Sequence, residues 1–115
     1  MKKLALLICL ASPAIADAPE VVAVNATQIG DSWRFDVTLA HPDTGWDHYA
    51  DGWEVVDAQG NVLGSRPLGH PHVNEQPFTR SKSGIMIPTG MTKVFVRARD
   101  NVHGWYAELT PVTLN

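Results

Sequence analysis

Between Trp33 and Leu39 the chain alternates apolar and polar residues without a break, with Trp33, Phe35, Val37 and Leu39 set against Arg34, Asp36 and Thr38. Successive side chains of a strand point to opposite faces, whereas a helix gathers its apolar residues at three- and four-residue steps. This run therefore predicts a strand with one face buried. Other segments follow it. Residues 21–26 are a short β-branched run, and Trp53-Glu54-Val55-Val56-Asp57 reads as a strand that turns at Gln59-Gly60-Asn61 and returns through residues 62–66. A short strand is expected near residues 84–87. Residues 93–99 carry Val94, Val96 and Ala98 on one face, and residues 105–114 supply a last strand.

The connections are equally legible. Residues 40–52 are polar and aromatic, punctuated by Pro42, Gly45 and Gly52, and predict a loop with room for one helical turn. Residues 67–80 hold Pro67, Pro71 and Pro77, which exclude a central strand. Residues 100–104 turn once more. No helix of ordinary length is visible. About seven short strands at turn-separated intervals predict an all-β fold, a single antiparallel β-sandwich with Greek-key connections.

Two resemblances bear on this reading. The segment Ile87-Pro88-Thr89-Gly90-Met91-Thr92-Lys93-Val94-Phe95-Val96-Arg97-Ala98, followed by a polar turn, Gly104-Trp105 and a final strand, resembles the end of a fibronectin type III domain. The corner tyrosine of that family falls at Val94 here. The resemblance implies an immunoglobulin or fibronectin type III-like sandwich, and no function. The middle block, from His41-Pro42-Asp43-Thr44-Gly45-Trp46-Asp47-His48-Tyr49 to Glu75-Gln76-Pro77-Phe78-Thr79-Arg80, is similar to a family of short exported bacterial proteins that carries no assigned role.

The amino terminus reads as a leader. Lys2 and Lys3 precede an apolar run over residues 4–11, Pro13 breaks it, and Ala14, Ala16 and Ala18 suit a signal peptidase. Residues 1–18 are expected to be a secretory signal and residues 19–115 the folded domain, periplasmic or secreted. The apolar run is about half the roughly twenty residues that span a bilayer, so membrane insertion is not expected. Cys9, the only cysteine, follows Leu6-Leu7-Ile8 rather than the small residues of a lipidation site, and without it the domain has neither disulfide nor thiol chemistry. The formal net charge is −3, and loss of Lys2, Lys3 and Asp17 with the leader makes the remainder more acidic. Nucleic acid and anionic membranes select basic patches, so neither is an expected partner.

All five histidines lie in the predicted connections. In His70-Pro71-His72 the proline holds the preceding residue extended, so the two imidazoles project to one side and can converge on one ion. His41-Pro42-Asp43 repeats the spacing with a carboxylate, and Asp47 and His48 follow. Imidazole with carboxylate suits zinc, copper(II) or nickel, and the lack of thiolate argues against copper(I). The candidate ligands are His70, His72, His41, His48, Asp43 and Asp47, on the condition that the connections gather at neighbouring ends of the sandwich. The spacing of Asp43, Asp47 and Asp51 does not match a calcium loop.

Trp46 and Tyr49 are the candidate exposed rings for stacking on a sugar or peptide, whereas Trp53 and Trp105 are expected to pack inward. Arg97 and Arg99 face away from Val94 and Val96, each with its guanidinium resting on a ring. No Gly-X-Ser-X-Gly elbow, phosphate loop or His-Glu-X-X-His is present, so an enzyme is not expected. The sequence thus predicts a monomeric exported binding or accessory module with zinc or copper(II) on loop histidines. The alternative is a module for a protein or glycan partner whose polar loops are structural.

Overall fold

A computed structural model describes residues 18–115, so the predicted leader, with Cys9, lies outside the described residues except for Ala18. Eight strands follow in chain order: β1 (Glu20–Ile29), β2 (Ser32–Ala40), β3 (Ala50–Val56), β4 (Val62–Pro67), β5 (Phe78–Ile85), β6 (Lys93–Asp100), β7 (Gly104–Trp105) and β8 (Thr110–Thr113). They form two antiparallel sheets. One has the order β1-β2-β5; the other has the order β4-β3-β6-β7, with β8 also paired to β6. No helix occurs among the described residues.

The alternating run on β2 sends Phe35, Val37 and Leu39 into the space between the sheets, where they are fully buried, while Trp33 at the strand's start is half-buried. Phe78 and Ile85 join them from β5. The opposing sheet contributes Trp53 and Val55 from β3, Val94, Val96 and Ala98 from β6, and Val112 and Leu114 from the C-terminal segment. Each large apolar side chain buried in this way contributes on the order of 1.5–3 kcal/mol. The two sheets approach closely where Gly64 faces Ile85, for a Cβ at residue 64 would stand 2.8 Å from Ile85 Cγ1.

Four expectations need correction. Residues 50–52 belong to β3 rather than to the preceding loop, because Ala50 and Gly52 pair with Asp100 and Arg99. β5 begins at Phe78, six residues before the strand expected near Gly84, because Phe78, Thr79 and Arg80 pair with Leu39, Thr38 and Val37 immediately after Pro77. The last strand is split into β7 and β8. Trp105 is exposed rather than packed inward, with the guanidiniums of Arg97 and Arg99 each 5.4 Å from its ring. Those cations are held by Glu54 and Asp51, at 2.6 and 2.8 Å.

The register fixes where the connections lie. Leu39 pairs with Phe78, Gly52 with Pro67 and Ala50 with Asp100. The connection over residues 41–49, the connection over residues 68–77 and the turn after Asp100 therefore emerge from the same end of the sandwich.

Candidate metal centre

Asp100 ends β6 and keeps the inward orientation of Val94, Val96 and Ala98, so its carboxylate is carried to the end of the core and is fully buried. Burial alone would raise its pKa. Hydrogen bonds outweigh it and hold the carboxyl well below the usual carboxylate range: Tyr106 donates its hydroxyl at 2.6 Å, and the backbone N–H groups of His103 and Val102 donate at 2.6 and 2.9 Å. These hydrogen bonds favour the ionised form of the buried carboxylate at the end of the core.

Two imidazoles face that charge. His41, the first residue after β2, is buried, and its Nδ1 lies 2.6 Å from Asp43 Oδ1. Asp43 also accepts the backbone N–H groups of Ala50 at 3.0 Å and His72 at 2.8 Å. With both its oxygens accepting, the proton of the His41 contact resides on Nδ1, which leaves Nε2 with a free lone pair. His41 Nε2 and His48 Nε2 are buried without a hydrogen-bond partner and lie 3.8 and 3.4 Å from Asp100 Oδ2. One ligand atom from each of His41, His48 and Asp100 lies within 4.8 Å of the others.

Those separations match the needs of an ion better than those of a hydrogen bond. A tetrahedral zinc with bonds of 2.0–2.1 Å holds its ligand atoms about 3.3 Å apart and the centroids of two imidazoles about 5 Å apart. The His41 and His48 rings are 4.8 Å apart at 80°. At 3.8 Å no hydrogen bond joins His41 Nε2 to Asp100, and a lone pair facing a buried carboxylate is repelled unless a cation lies between them. The residues therefore fit a divalent metal with nitrogen and oxygen ligands.

His48 is brought into range by Asn101. The Asn101 side chain donates to the carbonyls of Trp46 at 3.1 Å and Asp47 at 3.3 Å and accepts from the N–H of Tyr49 at 2.8 Å, so it grips both sides of His48. A bridge between Gly45 and His48 closes the loop, with Gly45 at φ 139°, a backbone conformation that favours glycine. His103 stands at the rim, its Nδ1 3.2 Å from Asp100 Oδ2 and its ring 5.7 Å from that of His48. With His48 half-buried and His103 more open, solvent reaches the cluster from that side.

The six predicted ligands fall in different places. His41 and His48 share the pocket. Asp43 lies behind His41 and orients its ring. Asp47 is exposed and meets the cluster only through its backbone carbonyl. His72 is buried on the far side of Asp43, stacked on Phe78 at 3.9 Å, and His70 is exposed over it. Gln76 links the two regions by accepting the His41 N–H at 2.9 Å and donating to the His72 carbonyl at 2.9 Å. Trp46 is 67% exposed and packs edge-on to Tyr49 at 5.7 Å. Asp100, His103 and Tyr106 were absent from the predicted set, although the alternation of β6, extended by one step, turns Asp100 inward.

No known protein family matches the chain. It is 47% identical over 76 residues, 66% of its length, to a protein of Halomicrobium mukohataei described as a "Putative lipoprotein", and it spans 37% of that protein's length. Among solved structures it is similar to a hypothetical protein from Pyrococcus horikoshii OT3, with a TM-score of 0.56 and 16% identity over 85% of this chain and 88% of that one. It is also similar to a superoxide reductase in the oxidised state, with a TM-score of 0.52 and 16% identity over 85% of this chain and 90% of that one. At these identities the likeness to both structures is one of fold.

Proposed function

We propose that this is an exported β-sandwich module that binds a divalent first-row metal, zinc or copper(II), through His41, His48 and Asp100, with His103 at the open side. One observation carries the reading: the buried Nε2 atoms of His41 and His48 have no partner and converge on the buried carboxylate of Asp100. Asp43 behind His41 supplies the outer carboxylate that fixes the tautomer of a ligating imidazole. Three protein ligands and a solvent-facing side leave a position at which a small molecule can reach the ion.

The fold reading is narrowed in the same way. An immunoglobulin or fibronectin type III-like sandwich is supported by the strand order, since the first, second and fifth strands share one sheet while the third, sixth and last share the other. Export is supported by the leader-like residues 1–18, and the description of the Halomicrobium relative as a lipoprotein accords with it.

Titration of the purified, metal-stripped protein with zinc and then copper(II) tests the proposal. A tight equivalent lost in His48→Ala is the expected result, and binding no tighter than about millimolar would reject it. The exposed Trp46 beside Tyr49 favours a second reading, a stacking surface for a glycan or protein, on which Trp46→Ala abolishes partner binding and His48→Ala leaves it intact.

A further inference from the structure

His70 and His72 stand apart from the pocket of Asp100, and nothing in that pocket uses them. His72 is 5% exposed, and neither of its ring nitrogens has a hydrogen-bond partner. A neutral imidazole must carry a proton on one nitrogen and a lone pair on the other, so both a donor and an acceptor are left unsatisfied in an apolar setting against the Phe78 ring. Buried polar groups in folded proteins nearly always have a partner, and an orphaned pair of this kind calls for one.

The geometry supplies it. His70 is exposed, and its ring centroid lies 4.6 Å from that of His72, tilted by 37°. Two imidazoles on one ion, with metal–nitrogen bonds of 2.0–2.1 Å, place their centroids about 4.5–5 Å apart. His70 Nδ1 lies 3.0 Å from the carbonyl oxygen of Pro71, which can only accept, so that nitrogen carries the proton and Nε2 keeps the lone pair. On His72, Nδ1 lies 4.0 Å from Asp43 Oδ2, too far for a hydrogen bond, so both ring nitrogens lack a protein partner and Nε2 is open to an ion. Glu75, in the same turn, is held by Arg80 at 3.0 Å, so solvent completes the coordination.

We infer that His70 and His72 form a second, weaker site for zinc or copper(II), and that Asp43 is the one carboxylate behind both sites. Asp43 meets His41 through Oδ1 and faces His72 through Oδ2, so the two sites lie on opposite sides of a single buried group. Binding at His70 and His72 stands independently of the Asp100 pocket, whereas the shared role of Asp43 rests on that pocket also holding a metal.

The test is titration of the purified protein with zinc, followed by calorimetry and by the ring-proton resonances of the histidines, in wild type, His70→Ala and His48→Ala. His70 is exposed, so its variant leaves the core untouched. Wild type is expected to bind two equivalents, the weaker one moving the His70 and His72 signals. His70→Ala should weaken that step at least tenfold and spare the stronger one, while His48→Ala should do the reverse. If the weaker step survives unchanged in His70→Ala, or the His70 and His72 signals stay still through two equivalents, the second site is rejected. One equivalent lost in His70→Ala and kept in His48→Ala would uphold this site and reject the pocket at Asp100.

Discussion

Asn101 and Tyr49 are joined twice: the backbone N–H of Asn101 donates to the Tyr49 carbonyl at 3.1 Å, and the Asn101 side-chain oxygen accepts the Tyr49 N–H at 2.8 Å. The turn after β6 and the loop before β3 are thereby locked together next to His48. Asn101→Ala removes the side-chain half of this lock and frees the carbonyls of Trp46 and Asp47. Metal affinity should fall roughly 10- to 100-fold, the usual effect of losing an outer partner of a metal ligand, as read by calorimetry. The thermal midpoint of the metal-free protein should move little, because the affected groups lie near solvent.

Asp43→Asn keeps the shape of the side chain but removes the charge behind His41. An amide accepts at only one position, so either the Ala50 N–H or the His72 N–H loses its acceptor, and in the first case His41 must also change tautomer. A loss of about 1–3 kcal/mol in denaturant unfolding is expected, with a fall in affinity at the Asp100 pocket. Unchanged affinity in a folded Asp43→Asn protein would deny the orienting role.

At Gly64 the expected effect is steric. A Cβ there would stand 2.8 Å from Ile85 Cγ1 and 3.0 Å from its Cδ1, and Ile85 is buried. Gly64→Ala should cost about 1–3 kcal/mol by overpacking. Combined with Ile85→Ala, which opens the space the new methyl group needs, the two changes should be clearly less damaging than their sum, as a double-mutant cycle in urea would show.

Acid should destabilise the fold in a definite window. Hydrogen bonds lower the carboxyl of Asp57, chiefly from Asn61, that of Asp36, chiefly from Ser81 and Arg34, and that of Glu75, chiefly from Arg80. A carboxyl whose pKa is lower folded than unfolded adds stability above its unfolded value, about 4, and loses it as pH falls towards the folded value. Stability should thus hold level on account of these groups from neutral pH to about 4.5 and decline below it. Asp57→Asn should be less stable at neutral pH and decline less steeply in acid. Equal slopes for the two proteins would contradict the assignment.

Metal occupancy should itself fall with acid, in a higher range of pH. Imidazoles bind metal only when neutral, so zinc affinity should weaken as pH falls from about 7 towards 5. The thermal shift produced by zinc should shrink over the same interval. A chelator should lower the midpoint at pH 7.5, where ligand at a hundred times its dissociation constant stabilises by about 2.7 kcal/mol, and should have little effect at pH 5.

The sheets were legible because their signal is local. Period-two alternation placed β2 and β6 almost to the residue, and turn chemistry placed the β3–β4 hairpin. Phe78 was harder, because the prolines ahead of it masked a strand whose pairing to β2 lies some forty residues away in sequence. Trp105 was misread since its partners, Arg97 and Arg99, are known only once β7 pairs with β6. At the site, histidine spacing drew attention to His41, His48, His70 and His72, but nothing local says that they divide into two groups around Asp43. Asp100 was overlooked as a turn residue although it completes an inward row.

That row ties the site to the folding of the strand. Val94, Val96, Ala98 and Asp100 alternate along one face of β6, three of them packing the interior and the fourth ending it in a charge. Because side chains repeat every two residues, a slip of β6 by one position against β3 would turn the core row to solvent and swing Asp100 away from His41 and His48 in the same movement. A misregistered chain therefore has no competent pocket, and an ion bound there is evidence that the strand has threaded correctly.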